Sequence, residues 1–471
     1  MVVGGFMLTV LPFSFYYESG DAPAILKAAV VTILVGGLSW GFNVKEKRKV
    51  GKREGYLIVV LGWVSMVLFG TLPYWFSGAL PSFTNAFFES ASGLTTTGAS
   101  VISDIEATSK GILFWRSLSQ WIGGMGIIVL TVALFPLLGV GGIELFVAEV
   151  PGPTSDKIHP RIKETAKRLW CTYVGLTTTL CIVLYSLGMT FFDAINHALT
   201  TMATGGFSTK NASIMEQRAA IQYVITFFMF LGGVNFTVIY FGLLGKLRKV
   251  WSSDEFKTYV LIILILIGVV TVGVYWSTDL GLERSFRDAS FQVISIVTTT
   301  GYVSADYTAW NPALTLLFFV LLFVGGSAGS TSGGIKIIRH LVFFKNSFLE
   351  FKRLLHPKAL IRVKIDHKIV APRILTHILV FLLIYLISFV FGSIVMTFIL
   401  SGTEQPILTA IGSVATALGN VGPAIGSVGP VDNFAQIPNA GKWFLSFLML
   451  LGRLELFTIL ILFTPYFWRT N

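Results

Sequence analysis

Four short stretches, rich in glycine and in hydroxyl side chains, are the part of this chain that could bind an ion. They are Thr95-Thr96-Thr97-Gly98, Ala203-Thr204-Gly205-Gly206, Thr298-Thr299-Thr300-Gly301 and Gly419-Asn420-Val421-Gly422. Every stretch ends on glycine, which adopts at little cost the backbone angles that turn successive carbonyls toward one axis. A ring of backbone carbonyls on such an axis is a cation filter, and oxygen ligands alone suit a hard cation rather than a soft metal.

The last three residues of each stretch are the predicted cation ligands. The hydroxyls of Thr97 and Thr300 are expected to add oxygens below the carbonyl ring. The full set is Thr96, Thr97, Gly98, Thr204, Gly205, Gly206, Thr299, Thr300, Gly301, Asn420, Val421 and Gly422. One such stretch alone could be no more than a glycine turn that ends a helix, but four in the same context predict one shared site.

Each stretch follows a short apolar segment that is flanked by two longer ones. The short segments are 83–94, 191–202, 286–297 and 406–418. A membrane-crossing helix takes roughly 20 residues, so these segments are predicted to be half-helices that enter the membrane and stop inside it. Their C-terminal ends carry partial negative charge, and four such ends converging on one cavity favour a cation over an anion.

The composition places the chain in a membrane. Of its 471 residues, 54% are hydrophobic and 13% are charged, whereas about 25% are charged in soluble proteins. The net charge of +11 could suggest nucleic acid, but that function needs a basic face with base-reading side chains. Most of the 35 Lys and Arg residues instead lie in four clusters between apolar segments, at 45–53, 157–168, 246–257 and 336–373. The positive-inside rule predicts that these clusters and both termini are cytoplasmic.

We therefore predict an all-α integral membrane protein with ten spans. Two N-terminal spans precede four helix–pore-loop–helix repeats around a central pseudo-fourfold pore. The N-terminal spans are 3–17 and 24–42, and the shortness of the first suggests a native start a few residues upstream. The four returning spans are 112–138, 219–244, 311–344 and 443–463. The corresponding units are 1–54 for the N-terminal spans, then repeats at 55–150, 151–250, 251–360 and 361–471.

The third returning span contains a glycine-rich segment, 325–334, that has no large apolar side chain. Its glycines are Gly325, Gly326, Gly329, Gly333 and Gly334. Non-helical backbone at membrane depth is tolerated only where protein covers it or where it lines a wet cavity, so we expect the segment to lie under the filter. A phosphate-binding loop would end in Gly-Lys-Ser/Thr, whereas Gly334 is followed by Ile335 and Lys336. A kinked packing helix with small-residue contacts is the remaining alternative.

Arg453 is the charged residue placed deepest in the predicted membrane. The fourth returning helix begins near Lys442, which puts Arg453 near the middle of a hydrocarbon core about 30 Å thick. A charge there should face a wet interior, where it would raise the barrier to cations or hold the glycine-rich segment through its carbonyls. Pairing with a neighbouring helix is the alternative, and Glu455 is too close in sequence to be a good partner. Lys336 is a second candidate, unless it extends to the cytoplasmic interface.

Other functional classes find little support in the sequence. Cys171 and Cys181 lie on one predicted span without His at ligand spacing, so a metal site or disulfide is not expected. A lipid enzyme would need a His-Glu-x-x-His or a Ser/His/Asp set, and neither is found. No nucleotide motif or organic cofactor site is predicted. Symport coupled to Na⁺ or H⁺ stays open, although the spans offer no chain of acidic and His residues for a proton relay.

The filter stretches resemble the TrkH/KtrB/HKT superfamily of potassium transporters, whose members are similar to a potassium channel with its four subunits fused into one chain. Thr96-Thr97-Gly98, Gly206-Phe207, Thr300-Gly301-Tyr302 and Asn420-Val421-Gly422-Pro423 look like the four degenerate filters of that family. The resemblance extends from about Gly55 to the C-terminus, and the two N-terminal spans are similar to those of the TrkH branch.

The resemblance implies several further properties. K⁺ would be the transported ion, since sodium-selective plant members place Ser where this chain has Gly98. Segment 325–334 would be a gate that obstructs the pore. A homodimer in the bacterial inner membrane is implied, with a cytoplasmic NAD/ATP-binding regulatory subunit of the TrkA type. The basic loop at 345–368 would be the landing surface for that subunit.

Overall fold

The structure, a computed structural model, describes residues 1–43, 51–129 and 158–469. Within these ranges the chain is predominantly helical, which confirms the predicted all-α class. The β-structure in these ranges comprises an antiparallel hairpin of strands β1 (Lys364–Ile365) and β2 (Lys368–Ile369) and one isolated bridge between Val324 and Ile335.

The N-terminal part forms a helical hairpin that packs on the first repeat. Its helices are α1 (Val2–Leu8), α2 (Leu11–Tyr16) and α3 (Ala22–Asn43). The predicted first span is thus two short helices, with Pro12 in the first turn of the second, where its missing N–H costs no hydrogen bond.

Asp21 fastens this hairpin to the first returning helix. Its carboxylate accepts hydrogen bonds from Ser14, from Ser19 at 2.7 Å and from Ser109 at 2.6 Å. The backbone N–H of Ile112 donates a further bond at 3.0 Å. Burial acts to raise the pKa of Asp21, but these hydrogen bonds outweigh it and hold the pKa below its usual value.

The remaining helices follow in chain order and are grouped by the four predicted repeats. The first repeat has α4 (Lys52–Gly70), α5 (Leu72–Phe76), α6 (Phe83–Leu94) and α7 (Lys110–Val129). The second has α8 (Ile158–Ser186), α9 (Phe191–Met202), α10 (Ala219–Gly232), α11 (Phe236–Leu243) and α12 (Leu247–Ser252). The third has α13 (Asp254–Ser277), α14 (Leu282–Val297), α15 (Pro312–Leu321) and α16 (Ile337–Leu355). The fourth has α17 (Pro372–Ile399), α18 (Pro406–Gly419), α19 (Asn439–Arg453), α20 (Phe457–Leu460), a 3-10 turn (Ile461–Phe463) and α21 (Pro465–Trp468).

The four half-helices lie close to their predicted bounds. Helices α6 and α9 match the prediction, α14 begins at Leu282 and α18 extends to Gly419. Parts of the first returning span and of the basic clusters at 45–53 and 157–168 lie outside the described residues.

The second and fourth returning spans are broken helices, where the sequence predicted continuous ones. Helices α10 and α11 meet at 112°, and α19 meets the segment from Phe457 to Phe463 at 110°. The third returning span has a non-helical stretch between Leu321 and Ile337. Five described helices are long and apolar enough to cross a membrane, or seven if each bent pair is one span. The predicted ten also counted the N-terminal helix pair, α7 and the interrupted third return.

Candidate functional site

The four predicted filter stretches share one unusual backbone conformation. In each, the second and fourth residues have a positive φ, a region that few residues other than glycine adopt. The second residues are Thr96 (55°), Thr204 (51°), Thr299 (54°) and Asn420 (52°). The fourth residues are Gly98 (81°), Gly206 (75°), Gly301 (77°) and Gly422 (106°). Such angles persist only where the surroundings enforce them, so their recurrence indicates that the same backbone conformation is required in all four stretches.

The four stretches touch one another in cyclic order. Each fourth-position glycine lies against the third-position carbonyl oxygen of the next stretch, so closely that a Cβ on the glycine would collide with it. The pairs are Gly98 with Gly205, Gly206 with Thr300, Gly301 with Val421, and Gly422 with Thr97. The last pair returns to the first stretch, so the stretches form a closed ring, which we call the filter ring.

The third-position side chains of the first and third stretches turn to neighbouring side chains. The Thr97 hydroxyl bonds that of Thr95 at 2.8 Å and accepts from the Asn420 amide at 3.0 Å. The Thr300 hydroxyl bonds that of Thr298 at 2.8 Å. The structure therefore uses these hydroxyls to brace the ring, which differs from their expected role as a second layer of oxygens.

The second stretch has a brace of its own. The Gln120 amide of α7 donates to the Gly205 carbonyl at 2.5 Å and accepts from the Phe207 N–H at 3.1 Å. The filter ring is thus pseudo-symmetric in its backbone and asymmetric in the side chains that support it.

The glycine-rich segment 325–334 lies directly against the ring. The Gly333 N–H donates to the Thr299 hydroxyl at 2.6 Å, and the Thr204 hydroxyl donates to that of Thr331 at 3.2 Å. Thr331 in turn donates to the carbonyl of Met202, the last residue of half-helix α9, at 3.0 Å. Second-position residues of two filter stretches therefore face this segment.

Three further contacts anchor the segment to the membrane helices around it. The buried Glu255 carboxylate of α13 accepts from the Ala328 N–H at 2.7 Å. The Asn235 amide, at the break between α10 and α11, donates to the Ala328 carbonyl at 2.6 Å. The Ser327 N–H donates to the Gly233 carbonyl at 2.8 Å. The segment is thus an ordered loop, as the sequence predicted, and not a kinked packing helix.

Arg453 reaches this loop from the fourth repeat. Its guanidinium donates to the Thr331 carbonyl at 2.9 Å and to the Gly123 carbonyl of α7 at 3.3 Å, and the side chain is 2% exposed. Arg453 therefore bonds both the glycine-rich loop and a neighbouring helix. From the sequence alone, these two contacts were alternatives. Glu455 pairs instead with Arg339, in agreement with its expected poor fit to Arg453.

Lys336 is buried beside the same loop. Its ammonium donates to the Ser332 carbonyl and, at 3.5 Å, to that of Gly333. It is buried against the loop and does not extend into solvent, unlike the alternative considered from the sequence.

Two cavities lie on opposite sides of the ring and the loop. The outer one, about 180 Å³, is lined by all four fourth-position glycines and by Arg116, Lys210 and Asp432. The inner one, about 30 Å³, is lined by residues of the glycine-rich loop and by the side chains of Lys336, Arg339, Arg453 and Glu455.

Sequence reasoning missed an ion pair beside the outer cavity. Arg116 of α7 and Glu89 of α6 pair at 2.6 Å and are almost fully buried. Both charges lie inside segments predicted to be in the membrane, and a charge in such a place is by default a functional candidate. That signal could have identified them.

The chain is similar to known proteins over nearly its whole length. The model of a protein family described as "TrkH: Cation transport protein" matches residues 21–469, so the likeness begins earlier than residue 55. The Trk system potassium uptake protein TrkH of Salmonella typhimurium is 40% identical over 459 residues, which are 96% of this chain and 94% of that protein. Its counterpart in Escherichia coli K12 is 40% identical over 462 residues, with the same coverage. The crystal structure of the potassium transporter TrkH from Vibrio parahaemolyticus superposes with a TM-score of 0.89 at 36% identity, covering 99% of this chain and 97% of that one.

Proposed function

This chain belongs to the TrkH family of cation transport proteins, and we propose that it carries K⁺ into the cell through the filter ring. The observation that carries the proposal is the closed cyclic contact between the four stretches, in which each glycine lies against the carbonyl of the next. The names of the relatives support K⁺ as the ion, since they are potassium uptake proteins. Those relatives are transporters and not enzymes, which removes the lipid-enzyme alternative.

Selectivity arises in the ring. A dehydrated K⁺ exchanges its water shell for backbone carbonyls, here those of Thr97, Gly205, Thr300 and Val421. Each half-helix ends at its stretch, so the partial negative charge of its C-terminus adds to the attraction. Within each stretch, the second residue's backbone and side-chain oxygens supply further ligands on the inner side.

The glycine-rich loop is the gate. It bonds the second-position residues Thr204 and Thr299 from below, and Arg453 holds it there. The inner cavity of about 30 Å³ has room for only a few waters, since one water needs roughly 10–15 Å³. The positive charges of Arg453 and Lys336 raise the barrier to a cation at this depth. The conformation described is therefore a closed one, and conduction requires the loop to move.

The membrane potential drives uptake. The chain is a multi-pass membrane protein, with both termini and the basic clusters placed in the cytoplasm by the positive-inside rule. An inside-negative potential then supplies about 2.3 kcal/mol per 100 mV for each K⁺ that enters. The location is the bacterial inner membrane.

The proposed assembly is a homodimer that binds a cytoplasmic nucleotide-binding subunit of the TrkA type. The surface that fits such a subunit is at residues 345–368 and carries three exposed lysines. Lys352 lies in the last turn of α16, Lys358 lies in the following loop and Lys364 begins the β-hairpin. Helix α16 begins directly after the gate, so movement of a bound subunit would be transmitted to the loop.

Uptake of radioactive rubidium into sealed vesicles that contain the purified chain and trapped K⁺ tests the function. We expect external K⁺ to block the uptake and external Na⁺ to have little effect, because the ring discriminates between the two ions. Equal block by Na⁺ would contradict the proposed selectivity. Uptake that depends on an inward Na⁺ or H⁺ gradient would instead identify a coupled symporter.

A further inference from the structure

A second cyclic set of hydrogen bonds lies just outside the filter ring. The residues two positions after the filter glycines are Ser100, Ser208, Val303 and Ala424. Each of their backbone carbonyls accepts one hydrogen bond from the preceding repeat. The donors are the Phe434 N–H to Ser100 (2.8 Å), the Arg116 guanidinium to Ser208 (3.0 Å), the Ile214 N–H to Val303 (3.0 Å) and the Tyr307 hydroxyl to Ala424 (2.7 Å).

The order of these bonds matches the order of the filter ring. The fourth repeat donates to the first, the first to the second, the second to the third and the third to the fourth. In the filter ring, each glycine likewise contacts the carbonyl of the next repeat. The first contact is Gly98 with Gly205, and the last, Gly422 with Thr97, closes the circle. Two concentric sets of contacts therefore close the same circle.

We infer that this outer collar fixes the radius of the filter ring, and that Arg116 and Tyr307 are positioning residues for ion selectivity. The inference rests on the proposed function. Two of the four collar donors are backbone N–H groups, but these two are side chains, each about 1% exposed. They are the points at which the collar can be opened by substitution.

Side chains of the half-helices tie the collar to the ring in the first two repeats. Glu89 and His197 occupy the same place, five residues before the last residue of α6 and of α9. The Ser100 hydroxyl donates to Glu89 at 3.0 Å, and the Ser208 hydroxyl lies 3.0 Å from Nε2 of His197.

The proton positions around His197 follow from its partners. Its Nδ1 lies 2.7 Å from the Asp193 carbonyl, which can only accept, so Nδ1 carries a proton; in the neutral imidazole, Nε2 then accepts from Ser208. The Ser208 oxygen in turn accepts from the Lys210 N–H at 3.1 Å, as that of Ser100 accepts from the Ile102 N–H at 3.2 Å. Both serines thus link the half-helix to the non-helical segment that follows the filter stretch.

The collar matters because the filter backbone is strained. Positive φ at a threonine is strained and persists only when neighbouring groups enforce it. The spacing and field of the carbonyls decide discrimination between ions of different size. Loss of one collar bond lets one stretch relax outward, so K⁺ still passes but Na⁺ is rejected less well.

Tyr307→Phe is the direct test. The variant keeps the ring that stacks on Phe318 at 4.7 Å and removes only the hydroxyl that reaches Ala424. In the rubidium assay, we expect the K⁺ over Na⁺ preference in competition to fall about five-fold, the size of one ordinary hydrogen bond. The maximal rate of uptake should change less than about two-fold. A loss of folded protein would instead lower the rate and leave the preference unchanged.

Tyr173→Phe is the matched control. Tyr173 is also buried and donates its hydroxyl to a backbone carbonyl, that of Trp121 at 3.1 Å, but it is not part of the collar. The K⁺ over Na⁺ preference of the Tyr173→Phe variant should stay at the wild-type value. An equal loss of preference in both variants would overturn the inference, because the loss of any buried tyrosine hydrogen bond would then have the same effect.

Arg116→Lys provides a second variant, which also serves if Tyr307→Phe does not fold. It keeps a positive charge beside Glu89 but loses the fork that bridges Glu89 and Ser208. We expect a fall in preference here too. An unchanged preference in both collar variants, together with a changed one in Gly98→Ser, would overturn the collar and leave the filter intact. If Gly98→Ser also has no effect, the proposed filter itself is wrong.

Discussion

Gly98→Ser and Gly422→Ser should each reduce the preference for K⁺ over Na⁺ at least about ten-fold. A Cβ at Gly98 would collide with the Gly205 carbonyl, and one at Gly422 would stand 2.7 Å from the Thr97 carbonyl. The positive φ at both positions adds strain on the order of 1–3 kcal/mol, and about 1.4 kcal/mol corresponds to a factor of ten. Competition by Na⁺ and by K⁺ in the rubidium assay measures the preference.

Gly78→Ser separates the collision from the strain. Gly78 also has a positive φ, 73°, but no heavy atom lies within 4 Å of the position of its Cβ. It follows helix α5, away from the ring. This variant should keep the wild-type preference. A full preference in Gly98→Ser, or an equal loss in Gly78→Ser, would refute the assignment of the filter ring.

Arg453→Ala should raise the basal uptake of the isolated chain about ten-fold. The substitution removes the hydrogen bonds to Thr331 and Gly123 and a positive charge beside the inner cavity. A hydrogen bond from a charged donor contributes about 1.5–3 kcal/mol, so its loss shifts the gate toward the open conformation. The initial rate of rubidium uptake, normalised to the amount of folded protein in the vesicles, is the measurement.

Arg353→Ala is the control for this variant. Arg353 also donates to a backbone carbonyl, that of Ile361 at 3.1 and 3.2 Å, but it lies at the end of α16 beyond the gate. Its uptake should equal that of the wild type. If Arg453→Ala also leaves the rate unchanged, its bond to α7 is purely structural and the loop is not held shut by it.

The half-helices and their loops were predictable because local rules decide them. Segments of 12–16 residues that end at a glycine-bearing loop cannot cross the membrane, so length and composition locate Phe83–Leu94 and Phe191–Met202 directly. The repetition of the pattern then predicts that the four loops meet.

The breaks in the returning helices could not be predicted in the same way. The second return ends a helix at Gly232 although its composition would allow the helix to continue. The break frees the Gly233 carbonyl to accept from Ser327, and Asn235 caps the next helix and holds Ala328. These partners lie about 90 residues away in the chain, so the reason for the break exists only in the folded protein.

The collar depends on pairings of the same kind. Tyr307 lies in the loop after the third stretch, and its partner Ala424 is 117 residues away. Nothing in the local sequence distinguishes its hydroxyl from that of any other buried tyrosine. Glu89 and Arg116 did carry a local signal, the presence of charge in apolar segments, but their pairing again required the fold.

Anomalous scattering from rubidium, in crystals grown with Rb⁺ in place of K⁺, tests most directly whether the four stretches bind the ion. We predict a peak at the centre of the ring, within ligand distance of the four third-position carbonyls, and its loss in Gly98→Ser crystals. Peaks confined to the outer cavity beside Asp432, with none in the ring, would contradict it.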